Sequence, residues 1–145
     1  MTKIVNFDSK KKLPLVSGKS ISPLEIAYET YGKLNADKSN VILICHALTG
    51  DQYVGGINPI TKKPGWWDII VGENKPIDTL KYYIICSNVI GGCMGTTGPK
   101  SIDTKTKKPY ALDFPIITIH DMVTCQAMLL DALGIDKVLS VIGGS

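Results

Sequence analysis

The stretch "KVLSVIGGS", residues 137–145, holds the most reactive arrangement in the chain. An apolar run, Val138 to Ile142, leads into Gly143, Gly144 and Ser145. A serine reached from a buried strand across small residues is the first half of Gly-x-Ser-x-Gly, the pattern of a nucleophile held on a tight strand-to-helix turn. Small neighbours are needed there because a side chain would collide with the adjoining strand or helix. Gly-Gly-Ser is also an ordinary flexible linker, so what favours the nucleophile is its position after a strand. Acyl transfer through such a serine needs a base to activate it and two backbone N–H groups aimed at the developing oxyanion. "VILICHALTG" offers one of those donors. His46, Ala47, Leu48, Thr49 and Gly50 follow a second apolar run, and the small Ala47 beside Leu48 lets a substrate approach the backbone closely.

The remaining reactive side chains suit structural roles better. His46 reads as an organiser of its own loop. His120 falls in the first turn of a predicted helix, where a protonated imidazole meets the unfavourable end of the dipole. Asp121 reads as a helix cap, and Asp51 and Asp68 have no histidine marked out for them. The four cysteines form no C-x-x-C and no Cys/His pair at ligand spacing, so no metal is expected. Cys45, Cys86 and Cys125 sit in apolar patterns and read as buried thiols. Cys93 is set apart by its glycine-rich loop, although no base is marked beside it.

Elements that could position these groups are legible around them. "VILIC" (Val41 to Cys45), "YYIIC" (Tyr82 to Cys86) and "VLSVI" (Val138 to Ile142) are apolar throughout. Strands buried on both faces with long connections predict a parallel sheet covered by helices. Leu13 to Val16, a Ser17–Ser20 turn and Leu24 to Tyr31 predict an antiparallel strand pair. In Leu24 to Tyr31, Leu24, Ile26, Tyr28 and Thr30 alternate with a wetter face. "TIHDMVTCQAMLLDALGI" predicts a helix with Thr118 as N-cap, Asp121 closing a capping box and Gly134 as the stop. Its apolar residues Ile119, Met122, Val123, Ala127, Leu130 and Leu133 recur at helical spacing. A short helix over Trp66 to Val71 is the weaker reading. Two long glycine-containing stretches, His46 to Asp68 and Ser87 to Pro115, leave the carboxyl ends of predicted parallel strands, where open α/β sheets place ligands.

The 145 residues suit one domain, and 44% hydrophobic with 20% charged residues is ordinary for a globular protein. The net charge of +3 is spread over lysine clusters without interleaved aromatics. That argues for solvated loops and against a nucleic-acid surface. No apolar run is long enough for a membrane span, and the N-terminus lacks the apolar core of a signal peptide. A cytoplasmic protein is the expectation.

"LICHALTGD", "GWWD", "CSNVIGGCMGTTGP" and "IGGS", in this order, together with "YETYG" at Tyr28 to Gly32, resemble the homoserine O-acetyltransferase family. The resemblance runs from about Leu13 to Ser145, and the motif Cys86 to Pro99 is its most specific part. It implies the α/β-hydrolase fold, N-terminal part only, across residues 1–145: an antiparallel strand pair, then buried parallel strands with a covering helix. It implies Ser145 as nucleophile and Leu48 as an oxyanion N–H donor. His46, Ala47, Gly91, Gly92, Cys93 and Gly95 would lie in loops at the active site, with Gly65 to Asp68 beside the entrance.

By the same resemblance, the serine takes an acetyl group from acetyl-CoA and passes it to the hydroxyl of L-homoserine, a step of methionine biosynthesis. No cofactor is needed. Family members are longer dimers, so the triad Asp and His, the lid and the substrate-binding arginine are expected beyond residue 145. A succinyl donor, a serine acceptor or an esterase activity on the same scaffold remain open, as does a non-catalytic remnant or half of a split protein. A serine without its base is a poor nucleophile. Pure 145-residue chain is therefore expected to show no transfer from acetyl-CoA to homoserine, and measurable turnover by it would overturn that expectation.

Overall fold

The computed structural model describes residues 2–143. Gly144 and Ser145 lie outside the described residues. The chain divides into two compact units, one of residues 2–3, 28–87 and 135–143, the other of residues 4–27 and 88–134.

The first unit is built on β5 (Val41–Cys45). It pairs in parallel with β8 (Tyr83–Ser87) on one side and with β9 (Ser140–Gly143) on the other. β8 in turn pairs antiparallel with Tyr28 to Tyr31 of β4 (Leu24–Tyr31). The parallel arrangement expected of the three apolar runs is thus present. Ile42, Ile44, Ile84 and Cys86 join Val54, Val71 and Ile77 in one core cluster, against which Trp66, Trp67 and Tyr82 pack. Val41, Leu43 and Ile85 are buried as well. Each such aliphatic side chain contributes about 1.5–3 kcal/mol by leaving water.

β9 departs from expectation. Leu139 and Val141 are each 58% exposed, and the strand alternates half-buried and exposed. Apolar composition predicts burial on both faces, but among the described residues the face that carries Val141 is exposed. Trp66 to Val71 also differs. It forms turns, closed by Ile70 N–H and Val71 N–H on Trp67 O, which lead into β6 (Val71–Gly72), parallel to β7 (Ile77–Asp78).

Two small features fix the entry into β5. Asn40 is buried, donates from Nδ2 to Lys33 O (2.9 Å) and Lys81 O (3.0 Å), and accepts Asn35 N–H. Gly32 has φ +80, and a methyl group there would collide with Tyr82 O and lie 2.6 Å from Thr79 O.

In the second unit, β1 (Lys3–Phe7) neighbours β4, a strand not anticipated from the sequence. β2 (Leu13–Pro14) pairs antiparallel with β3 (Ser20–Ile21), not with Leu24 to Tyr31. The Ser17–Ser20 turn therefore closes a small hairpin, and β4 is free to join the main sheet. β4 alternates as expected through Leu24, Glu25 and Ile26, but Ala27 on the wetter face is also buried. After a short 3₁₀ turn at Ala111–Asp113 comes α1 (Ile119–Ala132). No helix among the described residues is long and apolar enough to cross a membrane.

The capping box of α1 is formed as predicted: Thr118 Oγ1 accepts Asp121 N–H, and Asp121 Oδ2 accepts Thr118 N–H. Gly134, with φ +65, ends the helix. The buried face is not the one expected. Asp121, Cys125, Met128 and Leu129 are buried, while Ile119 is 73% and Val123 56% exposed. On the buried face Asp121 Oδ1 also accepts the Val16 N–H at 2.8 Å, and α1 lies against β2.

Two predictions come from this architecture. Gly32→Ala, which adds a steric collision to a left-handed backbone, is expected to cost more than about 2 kcal/mol in denaturant unfolding. Asp121 is held below the ordinary carboxylate value of 3.8, chiefly by the Thr118 N–H, with burial opposing and the Val16 N–H and Thr118 hydroxyl assisting. A carboxylate with a depressed folded value adds stability above its unfolded value and loses it as pH falls through the folded one. The Tm gap between wild type and Asp121→Asn is therefore expected at neutral pH and should close in strongly acid solution. A gap that stays constant would show that the charge is not what matters.

Candidate active site

The parallel register sets Cys45, the last residue of β5, beside Gly143, the last described residue of β9. The loop that starts at His46 and the segment that leads to Ser145 therefore leave the sheet from adjacent strands at the same end. Ser145 itself lies outside the described residues, as does the turn expected around it. A methyl group on Gly143 would stand 3.6 Å from Cys45 O and 3.7 Å from Cys45 Cβ, ordinary contact.

The loop after β5 is fixed by polar bonds. His46 is buried, and its Nδ1 lies 2.6 Å from Ala47 O. A carbonyl can only accept, so this nitrogen carries the proton. The same carbonyl accepts Gly50 N–H at 2.8 Å, closing a turn over Ala47 to Gly50. Leu48 stands at the tip with its side chain 82% exposed.

Asp51 follows directly. Its Oδ1 accepts Tyr53 N–H (2.8 Å), its Oδ2 accepts Asn58 Nδ2 (3.0 Å), and its carbonyl accepts the Trp66 indole N–H (2.9 Å). Further along, Gly65 passes so close to Val54 and Gly55 that a methyl group would lie 2.6 Å from their backbone. Asp68 accepts Gly56 N–H and pairs with Lys75, which holds its carboxyl below the usual range.

The glycine-rich loop belongs to the second unit. Thr96 Oγ1 donates to Asn88 O and accepts Ala27 N–H, and Thr97 Oγ1 accepts Glu25 N–H. Gly91 N–H donates to Thr97 O, folding the loop on itself. Side chains have no room here: a methyl on Gly92 would meet Val89 O at 2.8 Å and one on Gly95 would meet Ala27 Cβ at 2.8 Å. What remains is a concavity of about 280 Å³ lined by Gly92, Cys93, Gly95, Thr96, Gly98, Lys100 and Ser101.

Of the four free thiols, Cys93 alone is exposed. Burial, with the neighbouring Cys45 and Asp51, pushes the Cys86 thiol far up, and burial pushes Cys125 up to about 12. Neither can serve as a thiolate near neutrality. His120 is exposed in the first turn of α1. Asp121 is spent on Thr118 and Val16.

His46, Ala47 and Leu48 thus stand in the first unit, and Gly91, Gly92, Cys93 and Gly95 in the second. Asp51, weighed from sequence only as a partner for a histidine, anchors its own loop instead, and Asn58 was not singled out. The Gly50-Asp51 pair marks a turn, but nothing in the sequence signals that Asn58 returns to it.

No family model matches the chain. Curated proteins named homoserine O-acetyltransferase do match it, at 58% identity over 142 residues in Bradyrhizobium diazoefficiens and 60% over 139 residues in Caulobacter vibrioides. These alignments cover 98% and 96% of this chain but 36% of each relative. Among solved structures, homoserine O-acetyltransferase from Bacillus anthracis superimposes with a TM-score of 0.88 at 38% identity, and esterase E22 with 0.89 at 38%. Each covers 100% of this chain and 40% of the neighbour. The chain therefore corresponds to the N-terminal portion of the homoserine O-acetyltransferase family and carries that part of the α/β-hydrolase fold.

Proposed function

We propose that this chain supplies the nucleophile and half of the oxyanion hole of a homoserine O-acetyltransferase. The observation that supports this most is identity of 58–60% to proteins of that name along nearly the whole chain. Ser145 Oγ attacks the thioester carbonyl of acetyl-CoA and gives its proton to a base. The Leu48 N–H takes up the developing oxyanion. The C–S bond then breaks, CoA leaves as the thiol, and the acetyl group stays on Ser145. The hydroxyl of L-homoserine attacks this ester, loses its proton, and departs as O-acetylhomoserine with Ser145 restored. The base and its carboxylate partner come from beyond residue 145. His46 is read as the organiser of its own loop, through the bond from its Nδ1–H to Ala47 O. The working enzyme is a cytoplasmic homodimer acting in methionine biosynthesis.

An esterase is the second reading, favoured by the equal structural match to esterase E22. The two differ in what attacks the acyl-enzyme, homoserine or water.

Protein purified from its own cells and mixed with acetyl-CoA should gain the mass of one acetyl group on Ser145, and homoserine should discharge it as O-acetylhomoserine. Ser145→Ala is expected to lower turnover by about 10⁴-fold or more. Acetylation elsewhere, or none, would remove Ser145 from its role. Discharge to water that homoserine does not alter would establish the esterase.

A further inference from the structure

The Leu48 side chain, 82% exposed, does nothing to anchor the turn that carries its N–H. Polar bonds must hold that turn, and those past Gly50 converge on Asp51. Its carboxylate takes the Tyr53 N–H on one oxygen and Asn58 Nδ2 on the other. Tyr53 and Asn58 are buried at 2% and 5% exposure. Asn58 Oδ1 accepts Ile60 N–H (2.9 Å) and Thr61 N–H (3.2 Å), so its amide cannot turn over without losing both bonds. The Asp51 carbonyl is tied to the indole of Trp66, which packs against the core cluster. One residue therefore joins the Ala47–Gly50 turn to the next loop and to the core.

We propose that Asp51, acting through Asn58, is the positioning residue for the oxyanion loop: it fixes the Leu48 N–H at the distance the developing oxyanion requires. This rests on the acyl-transfer reading above. A displacement of about 1 Å in such a site costs on the order of 100-fold in rate. Asp51 acts by restricting the turn.

The polarity of the pair provides the test. Asp51→Asn sets an NH₂ against the Asn58 NH₂, which cannot flip. The exchanged pair, Asp51→Asn with Asn58→Asp, restores a donor facing an acceptor, and the new aspartate can still accept Ile60 and Thr61 N–H. Protein purified from its own host would be followed in two ways: single-turnover acetylation of Ser145 by p-nitrophenyl acetate, and amide hydrogen exchange across residues 47–58, with Tm recorded for each variant.

Asp51→Asn is expected to slow acetylation by about 10- to 100-fold with little change in the ester concentration giving half-maximal rate, and to speed exchange in the loop. The exchanged pair should recover most of both. Acetylation and exchange at wild-type values in Asp51→Asn would overturn the proposal. So would an exchanged pair that regains wild-type Tm and exchange but not the rate. If wild type itself is not acetylated, the acyl-transfer reading fails. Exchange then judges the lock alone: faster exchange in Asp51→Asn, reversed in the exchanged pair, upholds it, and unchanged exchange removes it.

Discussion

β5 is the strand on which the first unit depends. It is hydrogen-bonded in parallel to β8 on one side and β9 on the other, and Val41, Ile42, Leu43 and Ile44 are all buried. A strand with partners on both edges and apolar contacts on both faces has no position at which a reactive group can meet solvent or substrate. Chemistry is confined to the point where the ladder stops. That point is Cys45, with Gly143 beside it, and the loop that begins at His46 is the first backbone free to turn toward a ligand. The same burial forces Cys86 to remain a neutral thiol. Its reactivity is removed by the packing that makes the sheet stable.

Beyond the ladder, short polar side chains take over the work of apolar contacts. Asp51, Asp68, Asp78 and Asp121 each accept backbone N–H groups, and Asn40, Asn58, Thr96 and Thr97 do the same for their loops. In Asp78 and Asp121 backbone N–H groups lower the carboxyl most, whereas in Asp68 the ammonium of Lys75 leads. A perturbed carboxylate often marks catalysis. Here all three are accounted for by backbone, hydroxyl and lysine partners, which is consistent with a structural use.

How far this was legible in the sequence varied with the kind of signal. Val41 to Cys45 was legible because a short, continuously apolar run rich in Val and Ile admits few alternatives. The start of α1 was legible because Thr118 and Asp121 stand at the spacing of a capping box, and Gly134 marked its end. The buried face of α1 was not. Apolar residues lie on two stripes of that helix, and the buried one also carries Asp121, bonded to Val16 at a position distant in sequence. The pairing of β2 with β3 was missed for a related reason: two-residue strands carry no periodicity. In β9, composition misled, since alternating exposure of Leu139 and Val141 depends on what lies against the strand. In the candidate site, the loop after β5 was legible from Gly50 and His46, whereas the return of Asn58 to Asp51 is set by chain path alone.

The parallel register of β5 also has a consequence for how the chain folds as it is made. Val41–Cys45 is synthesised early, and its β8 partner follows within the same unit. Its other edge waits until Ser140–Gly143 has been added, after the whole of the second glycine-rich stretch and α1. Parallel pairing of distant segments is slow, because loop closure must precede any gain from contact. A nascent chain therefore carries an apolar, unpaired β5 edge until that later segment has been made, and in this interval the edge is exposed to aggregation.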